Sequence, residues 1–175
     1  MEAKLLNQNA VGVDINPQSI SISERNLKFQ CETKSKIYTR RGNAKNLEFI
    51  RDEKIDLVCT HPPYSNIIKY SNGIEGDLSC LDVEEFLCEM QTVAKEAYRV
   101  LRKGKICTVM MGDIRHRGNV IPLGFMLMQV FLEQGFMSKE IIIKVQHNCG
   151  STNYWKNENY NFLLLAHEYI FVFRK

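Results

Sequence analysis

One short segment of the chain combines residue types that could hold a flat, amine-bearing ring. It is Thr60-His61-Pro62-Pro63-Tyr64, named here the diproline corner, and it follows the apolar run 55–59. Two prolines fix φ and remove two N–H donors, so the backbone leaves the predicted strand as a stiff turn whose carbonyl oxygens are free to accept hydrogen bonds. Carbonyl and side-chain acceptors could hold the amine hydrogens while Tyr64 covers the ring face. A proline turn after a buried strand explains the same residues about equally well.

Two polar side chains follow earlier predicted strands. Asp14 and Ile15 come at the end of one apolar strand, and Asn43 and Ala44 follow the next strand along the chain. In doubly wound sheets ligands bind outside the carboxyl ends of the strands, where a carboxylate can accept the hydrogens of both ribose hydroxyl groups of a nucleoside. Asn43 could meet an adenine edge, although a turn with a helix cap is the commoner role of such an asparagine.

Strand-like and helix-like segments alternate along the chain, which favours an α/β fold with a mostly parallel sheet. The predicted strands cover residues 10–14, 36–40, 55–59, 106–111, 140–145 and 169–173. Predicted helices begin at Pro17, at the capping box formed by Asp82 and Glu85, and at about Pro122. The second of these helices is expected to end at Gly104.

Basic residues are concentrated in residues 95–119, whereas residues 72–94 hold only acidic charges. A basic face near Arg115, in a predicted loop, could follow the phosphates of a nucleic acid. Arg102 and Lys103 fall in the last turn of the predicted helix, where the helix dipole favours cations. A solvated helix end therefore explains part of the basic cluster.

Two polar segments are candidates for contact with a substrate. Asn66, Lys69 and Tyr70 follow the corner, and residues 73–79, named here the flap, are expected to close over it. The long stretch 146–161 is rich in asparagine and aromatic residues, which can read adenine edges and stack, and nearby lysines can meet phosphates. The candidates there are Lys144, Asn148, Tyr154, Trp155 and Lys156. A plain surface loop and a structured hairpin around the tryptophan are the respective alternatives.

Length and composition fit one domain over residues 1–175, with 45% hydrophobic residues and a formal net charge of +3. No apolar run approaches the ~18 residues of a membrane span and no signal pattern opens the chain, so we expect a cytoplasmic protein. Six cysteines form no C-x-x-C pair, and Cys59 and Cys107 fall in apolar strands where thiols behave as small hydrophobes. We expect neither a disulfide framework nor a metal site.

The order of these features resembles the S-adenosylmethionine-dependent amino-methyltransferases, which methylate adenine or cytosine amines in DNA and include orphan and restriction-modification enzymes. Strands that end at Asp14, near Asn43 and in the diproline corner look like the successive cofactor-binding and catalytic motifs of that family. The resemblance implies a Rossmann-like fold with a reversed final strand, S-adenosylmethionine as cofactor and DNA as partner. The cofactor-binding residues that it implies are Asp14, Ile15, Asn43, Ala44 and His61.

The resemblance also implies how the corner would act on a base that has been flipped out of the duplex. Tyr64 would stack on the base. His61 and the Pro62 carbonyl, held by the rigid turn that Pro63 completes, would accept the two amine hydrogens and aim the nitrogen lone pair at the sulfonium methyl. Positioning and local acceptors would supply much of the rate, since no covalent enzyme intermediate is required.

Two features depart from the family pattern. Family members carry a glycine-rich loop after their first strand, whereas residues 1–7 look like the helix after that loop, so we expect a sheet that lacks its first, central strand and exposes apolar edges. A truncated or degraded gene product would explain this, as would a split enzyme in which a second chain or copy supplies the loop. His61 stands where the family most often has Asp, Asn or Ser, and a neutral imidazole accepts one hydrogen bond instead of two.

Other functions are compatible with the same residues. Folds with this turn can also methylate structured RNA or a protein side-chain amide. A non-catalytic subunit or inactive remnant would retain the domain without activity. A doubly wound NAD-binding domain is less favoured, because no G-x-G-x-x-G occurs in the chain.

Overall fold

The computed structural model describes residues 1–147 and 163–175. Its strands are β1 (Ala10–Asp14), β2 (Ile37–Arg41), β3 (Ile55–Thr60), β4 (Leu101–Met111), β5 (Ile114–His116), β6 (Asn119–Ile121), β7 (Met137–Val145) and β8 (His167–Arg174). Its helices are α1 (Glu2–Leu5), α2 (Pro17–Asn26), α3 (Val83–Val100) and α4 (Leu123–Glu133), with short 3₁₀ turns at Ser65–Ile67 and Leu78–Cys80.

The described strands form three sheets, which contain both parallel and antiparallel pairs. β1 pairs with β2 in parallel, and a main sheet has the order β3-β4-β8-β7. In the main sheet β3 and β4 are parallel, whereas β8 runs antiparallel to both β4 and β7. The expected reversed final strand is therefore confirmed, together with the α/β class of the fold.

The β1–β2 pair has no strand hydrogen bonds to the main sheet in the described part of the chain. The link between them is the connection from β2 to β3, residues 42–54, which lies against α3. Arg99 of α3 donates hydrogen bonds to the carbonyl oxygens of Leu47 and Ile50, each at 2.9 Å. Glu96 accepts the backbone N–H of Leu47 at 2.7 Å. Helix α3 thus positions the β1–β2 pair relative to the main sheet.

Helix α3 begins at the predicted capping box, which is confirmed. The Glu85 N–H donates to the Asp82 carboxylate at 2.9 Å, and the Asp82 N–H donates to the Glu85 carboxylate at 3.2 Å. Apolar residues then recur at helical spacing and face the main sheet. The buried residues of this face are Phe86, Met90, Val93, Ala94, Ala97 and Val100. None of the helices in the described residues is long and apolar enough to cross a membrane.

Helix α4 packs on the same face of the main sheet and supplies an aromatic cluster to the core. Phe131 is fully buried and stacks on Phe173 of β8, with the ring centroids 5.2 Å apart and an interplanar angle of 12°. Phe136, just after α4, contacts both rings. Stacked aromatic pairs contribute ~0.5–1.5 kcal/mol beyond the area they bury, so this cluster anchors β8 to the helix layer.

The opposite face of the main sheet is only partly covered. Leu57 of β3 is 58% exposed and Ile142 of β7 is 48% exposed, although strands of parallel sheets are usually buried on both faces. The prediction that Cys59 is a buried hydrophobe is wrong, because the register shift after Ile55 directs Cys59 to this exposed face. Cys107 does lie in the core, and burial raises the pKa of its thiol to about 12.

Helix α3 is shorter than predicted, because β4 begins directly after it. The helix ends at Val100 instead of Gly104, and Leu101 is fully buried opposite Ile55 in the parallel register. Arg102 and Lys103 therefore lie on a strand, and Arg102 contacts Asp56 at 3.1 Å. The loop predicted around Arg115 contains a short hairpin, β5–β6, that the sequence pattern did not indicate.

Replacing Phe131 by Ala should lower the free energy of unfolding by about 3–5 kcal/mol, because it deletes a fully buried ring. Denaturant-induced unfolding followed by circular dichroism measures the change. Phe125→Ala is the matched control, since Phe125 lies on the same helix but is 45% exposed and should cost clearly less. Equal losses for the two variants would contradict a core centred on the Phe131 side of α4.

Candidate active site

A cavity of about 390 Å³ opens at the carboxyl ends of β1, β2 and β3. Ligand sites of known proteins have volumes of roughly 300–1,000 Å³. All of the residues predicted to bind a cofactor line it: Asp14, Ile15, Asn43, Ala44 and His61. The structure therefore brings together side chains from three strand ends that are up to 47 positions apart in the sequence.

The Asp14 carboxylate is held in place by the turn that starts α2. One oxygen accepts the backbone N–H of Asn16 at 2.8 Å. Asn16 in turn caps α2, because its side-chain oxygen accepts the N–H of Gln18 at 2.9 Å. The hydrogen bond to Asn16 fixes the direction of the carboxylate at the edge of the cavity.

Asn43 makes the turn that the sequence suggested and also lies at the cavity. Its side-chain oxygen accepts the backbone N–H of Lys45 at 2.9 Å, which makes the turn that was expected as the commoner alternative. The same side chain lines the cavity. Lys45 forms an ion pair with Glu89 of α3, so this turn is also tied to the helix layer.

The flap forms one wall of the cavity through Gly76, Asp77 and Leu78, and Tyr70 lines it as well. The side chain of Asn16 donates to the Tyr70 carbonyl at 3.1 Å and links the flap side to the start of α2. Asp77 is 8% exposed. Burial raises the pKa of its carboxyl, but hydrogen bonds from Ser71 and Ser79 outweigh this effect and hold the pKa below its usual range. A satisfied, charged Asp77 thus gives the flap a defined shape.

The diproline corner leaves β3 at Thr60 and contributes His61, Pro62 and Pro63 to the cavity. Tyr64 does not line the cavity in the described structure. Its hydroxyl donates to a Glu168 oxygen at 2.5 Å and accepts the Gly112 N–H at 3.0 Å. Burial, followed by the Glu168 hydrogen bond, raises the pKa of Tyr64, so the phenol stays protonated.

His61 stands between the cavity and a carboxylate. Its Nε2 atom is 3.8 Å from a Glu168 oxygen, and its ring meets that of Tyr64 edge-on with the centroids 5.7 Å apart. Burial lowers the pKa of His61, Glu168 opposes this shift and Lys144 adds to it, with a net lowering. The imidazole is therefore neutral at neutral pH and can accept a hydrogen bond.

Glu168 is a site residue that sequence reasoning missed. It lies on β8 with 6% exposure and accepts a hydrogen bond from Lys144 of β7 at 2.5 Å. Burial raises the pKa of Glu168, but the hydrogen bonds from Lys144 and Tyr64 outweigh it and lower the pKa overall. The only signal in the sequence was an acidic residue beside the apolar run 170–173. Its closeness to the corner results from the pairing of β8 with β4 and β7, which the sequence does not reveal.

The residues predicted to contact DNA are more dispersed than the residues predicted to bind the cofactor. Tyr70 lines the cavity, whereas Asn66 and Lys69 are exposed outside its lining. Lys144 binds Glu168, and Arg115 donates to the carbonyl oxygens of Gly118 at 2.6 Å and Leu163 at 2.9 Å. Four predicted contacts lie outside the described residues: Asn148, Tyr154, Trp155 and Lys156. Within the described ranges, no three His, Cys, Asp or Glu side chains come together as a metal site.

The sequence profile of a DNA methylase family matches residues 55–175. Because this match covers more than half of the chain, the protein belongs to that DNA methylase family. The matched region begins with β3 and includes the diproline corner, Gly112 and Glu168.

Individual relatives carry related names. The chain is 29% identical over 128 residues to the orphan methyltransferase M.BamHII of Bacillus amyloliquefaciens. This alignment covers 73% of this chain and 41% of the relative. It is 28% identical over 105 residues to the type II methyltransferase M.MjaVI of Methanocaldococcus jannaschii. This second alignment covers 59% of this chain and 52% of the relative. The chain spans about half the length of the curated relatives it matches.

Solved structures confirm the predicted Rossmann-like methyltransferase fold. A Thermus thermophilus protein described as a DNA modification methylase, solved in complex with S-adenosyl-L-methionine, superposes with a TM-score of 0.57 at 27% identity, over 77% of this chain and 53% of that one. The cytosine-N4-specific PvuII DNA methyltransferase superposes with a TM-score of 0.60 at 21% identity, over 76% of this chain and 47% of that one. This second likeness concerns the fold alone.

Gly76→Ala should destabilise the protein more than Gly73→Ala. Both glycines have a positive φ, +85° and +87°, so both variants carry the same kind of backbone strain. Only at position 76 would the new Cβ lie 2.7 Å from Nδ2 of Asn43 and 3.1 Å from Cδ1 of Ile15. We expect an additional loss of about 1–3 kcal/mol in unfolding free energy and faster limited proteolysis of the flap. Equal behaviour of the two variants would mean that the flap does not close on the cavity wall.

Proposed function

We propose that this chain is the catalytic part of an S-adenosylmethionine-dependent DNA methyltransferase that acts on the exocyclic amine of adenine or cytosine. One observation carries the proposal: the diproline corner and the Asp14 strand end open onto the same cavity. A nucleoside-binding carboxylate and a group of amine acceptors then lie side by side, as methyl transfer between two bound molecules requires. Membership in the DNA methylase family supports the same chemistry.

The residues around the cavity fit the nucleoside part of S-adenosylmethionine. Asp14 offers carboxylate oxygens to ribose hydroxyl groups, Asn43 offers an amide to an adenine edge, and Ile15 and Ala44 offer apolar contact to the ring. When bound, the cofactor supplies an electrophilic methyl group on a sulfonium centre. His61, which lines the same cavity, would face both this cofactor and the target amine.

The diproline corner would hold the target amine. An exocyclic amine is a weak nucleophile because its lone pair is delocalised into the ring, and it is inaccessible inside a duplex, so the base would be flipped out at a cost of a few kcal/mol. The neutral His61 imidazole and the Pro62 carbonyl would accept the amine hydrogens, and Tyr64 would contact the ring. Asn66 and Lys69, exposed beside the corner, would contact the DNA strand that carries the base.

Two substitutions separate cofactor binding from transfer. Asp14→Ala should weaken S-adenosylmethionine binding at least ~10-fold, because a charged acceptor is lost. His61→Ala should weaken binding less than Asp14→Ala does, and it should slow methyl transfer ~10²-fold or more, because an acceptor for the reacting amine is lost. Isothermal titration calorimetry gives the affinities. Transfer of labelled methyl groups to duplex DNA, with mass spectrometry of the nucleosides, gives the rate and the modified base.

Asp56→Ala is the matched carboxylate control, since Asp56 lies at the opposite end of β3 and should change neither quantity. Expression in a bacterial host without DNA methyltransferases, followed by nucleoside analysis, provides a second assay. If the labelled methyl group enters RNA or a protein side chain and not DNA, the substrate is that molecule and not DNA. Unchanged binding and transfer in both the Asp14 and His61 variants would contradict the assigned site.

A specific observation favours a second candidate function, that of a partner-dependent subunit. β1 pairs only with β2, and β3 pairs within the main sheet only with β4, so in the described residues each has an edge without a strand partner. Val11 and Leu57 on these strands are 36% and 58% exposed. We propose that a strand from a second polypeptide pairs with both edges, and that its following turn completes the cofactor site.

Alkylation of cysteines tests this arrangement. In the isolated chain iodoacetamide should modify Cys59 and spare the buried Cys107, which serves as the internal control. A synthetic peptide of about six β-branched residues followed by a glycine-rich turn should protect Cys59 and tighten S-adenosylmethionine binding. The same peptide with proline at alternate positions cannot pair and should do neither. Protection of Cys59 in the chain alone, or no effect of the pairing peptide, would contradict the open edge.

A further inference from the structure

The back of the diproline corner is formed by a buried carboxylate. Glu168 is 6% exposed and accepts hydrogen bonds from the Tyr64 hydroxyl and the Lys144 ammonium, each at 2.5 Å. Its first oxygen also lies 3.8 Å from Nε2 of His61. One carboxylate thus joins the aromatic residue of the corner, the imidazole that lines the cavity and a lysine of the edge strand β7.

The Glu168 carboxylate and the end of β4 together fix the Tyr64 ring. The Tyr64 hydroxyl donates to Glu168 and accepts from the Gly112 N–H at 3.0 Å, so both of its hydrogen-bonding directions are used. The residue that follows, Ser65, has a positive φ of 51°, a conformation that non-glycine residues rarely adopt and that costs ~1–3 kcal/mol. Ser65 is fully buried and its hydroxyl donates to the Leu81 carbonyl at 2.7 Å, which holds the residue after Tyr64 in this turn.

The same carboxylate faces His61 together with an opposing charge. In the described part of the chain, the titratable and charged groups that face His61 are Glu168 from β8, Lys144 from β7 and Tyr64 from its own corner. Glu168 favours the imidazolium form and Lys144 disfavours it. Because Lys144 is bound to Glu168, its charge opposes the effect of the carboxylate on His61.

We propose that Glu168 is a positioning residue for methyl transfer, which holds the Tyr64 ring in place behind His61, and that Lys144, bound to Glu168, offsets the negative charge that faces the imidazole. This inference rests on the proposed function for its role in transfer. A purely structural ion pair would require neither contact with Tyr64 nor proximity to His61. The geometry gives Glu168 both, and His61 lines the cavity.

Nuclear magnetic resonance titration of His61 tests the proposal in the folded chain without any need for activity. Lys144→Met should raise the pKa of His61 by about half a unit or more, because the Glu168 charge is then uncompensated. Glu168→Gln keeps the shape of the side chain and should lower the pKa of His61 by a similar amount, because the Lys144 charge remains. Opposite shifts are expected only if both residues act on His61 through their charges.

One control accompanies these variants. Lys139→Met removes an exposed lysine from the same strand and should leave the titration of His61 unchanged. If Glu168→Gln does not fold, the shift in Lys144→Met still decides, since the Lys144 side chain is 46% exposed and tolerates replacement.

A kinetic measurement tests the positioning role of Glu168 in methyl transfer. In the reconstituted enzyme Glu168→Gln should lower kcat about 10-fold or more with little change in KM for cofactor, and the acidic limb of its pH profile should move with the pKa of His61. Opposite shifts at His61 without any methyl transfer would support the Glu168 arrangement and overturn the proposed function. Absent shifts, or shifts in the same direction, would overturn the inference about Glu168 even in an active enzyme.

Discussion

The Arg99 guanidinium is the contact on which the arrangement of the two strand groups depends. It donates to two carbonyl oxygens of the connection 42–54, to Asp52 at 2.6 Å and to Glu96 at 2.7 Å, so one side chain holds a loop that has no regular structure of its own. Hydrogen bonds to Glu96 and then Asp52 raise the pKa of Arg99 further, and the group stays charged at every accessible pH. Because β1 and β3 do not pair, the two strand groups are linked by this contact and not by a shared sheet.

The cavity is a consequence of that arrangement. Its walls come from the β1–β2 pair on one side and from the diproline corner and the flap on the other, and the hydrogen bond from Asn16 to the Tyr70 carbonyl connects the two sides. A parallel sheet places such a crevice at the carboxyl ends of its strands. Here the two sides are held by α3 and by loops instead of a shared ladder, so the width of the cavity depends on side-chain contacts.

The sequence could predict the elements whose signal is local. Asp14, Asn43 and His61 all follow apolar strand patterns, and the Asp82 capping box marks a helix start by itself. Features set by pairing could not be predicted in this way. The helical spacing of apolar residues continues through Leu101, yet the parallel register with Ile55 makes that residue the start of β4. Cys59 has the pattern of a buried strand residue, and its exposure depends on a register shift and on which face the helices cover.

The role of Glu168 shows the same limit for the site. It lies 104 positions after Tyr64 in the sequence, and only β8 inserted between β4 and β7 brings it behind the corner. This placement also gives a physical reason for His61 in the corner. A carboxylate at position 61 would lie close to the buried Glu168 carboxylate, and two like charges at that distance repel each other. Here the negative charge lies one layer back, paired with Lys144, and the surface that meets the cavity is an uncharged acceptor. The two tasks of holding the aromatic ring and accepting an amine hydrogen are thereby divided between Glu168 and His61.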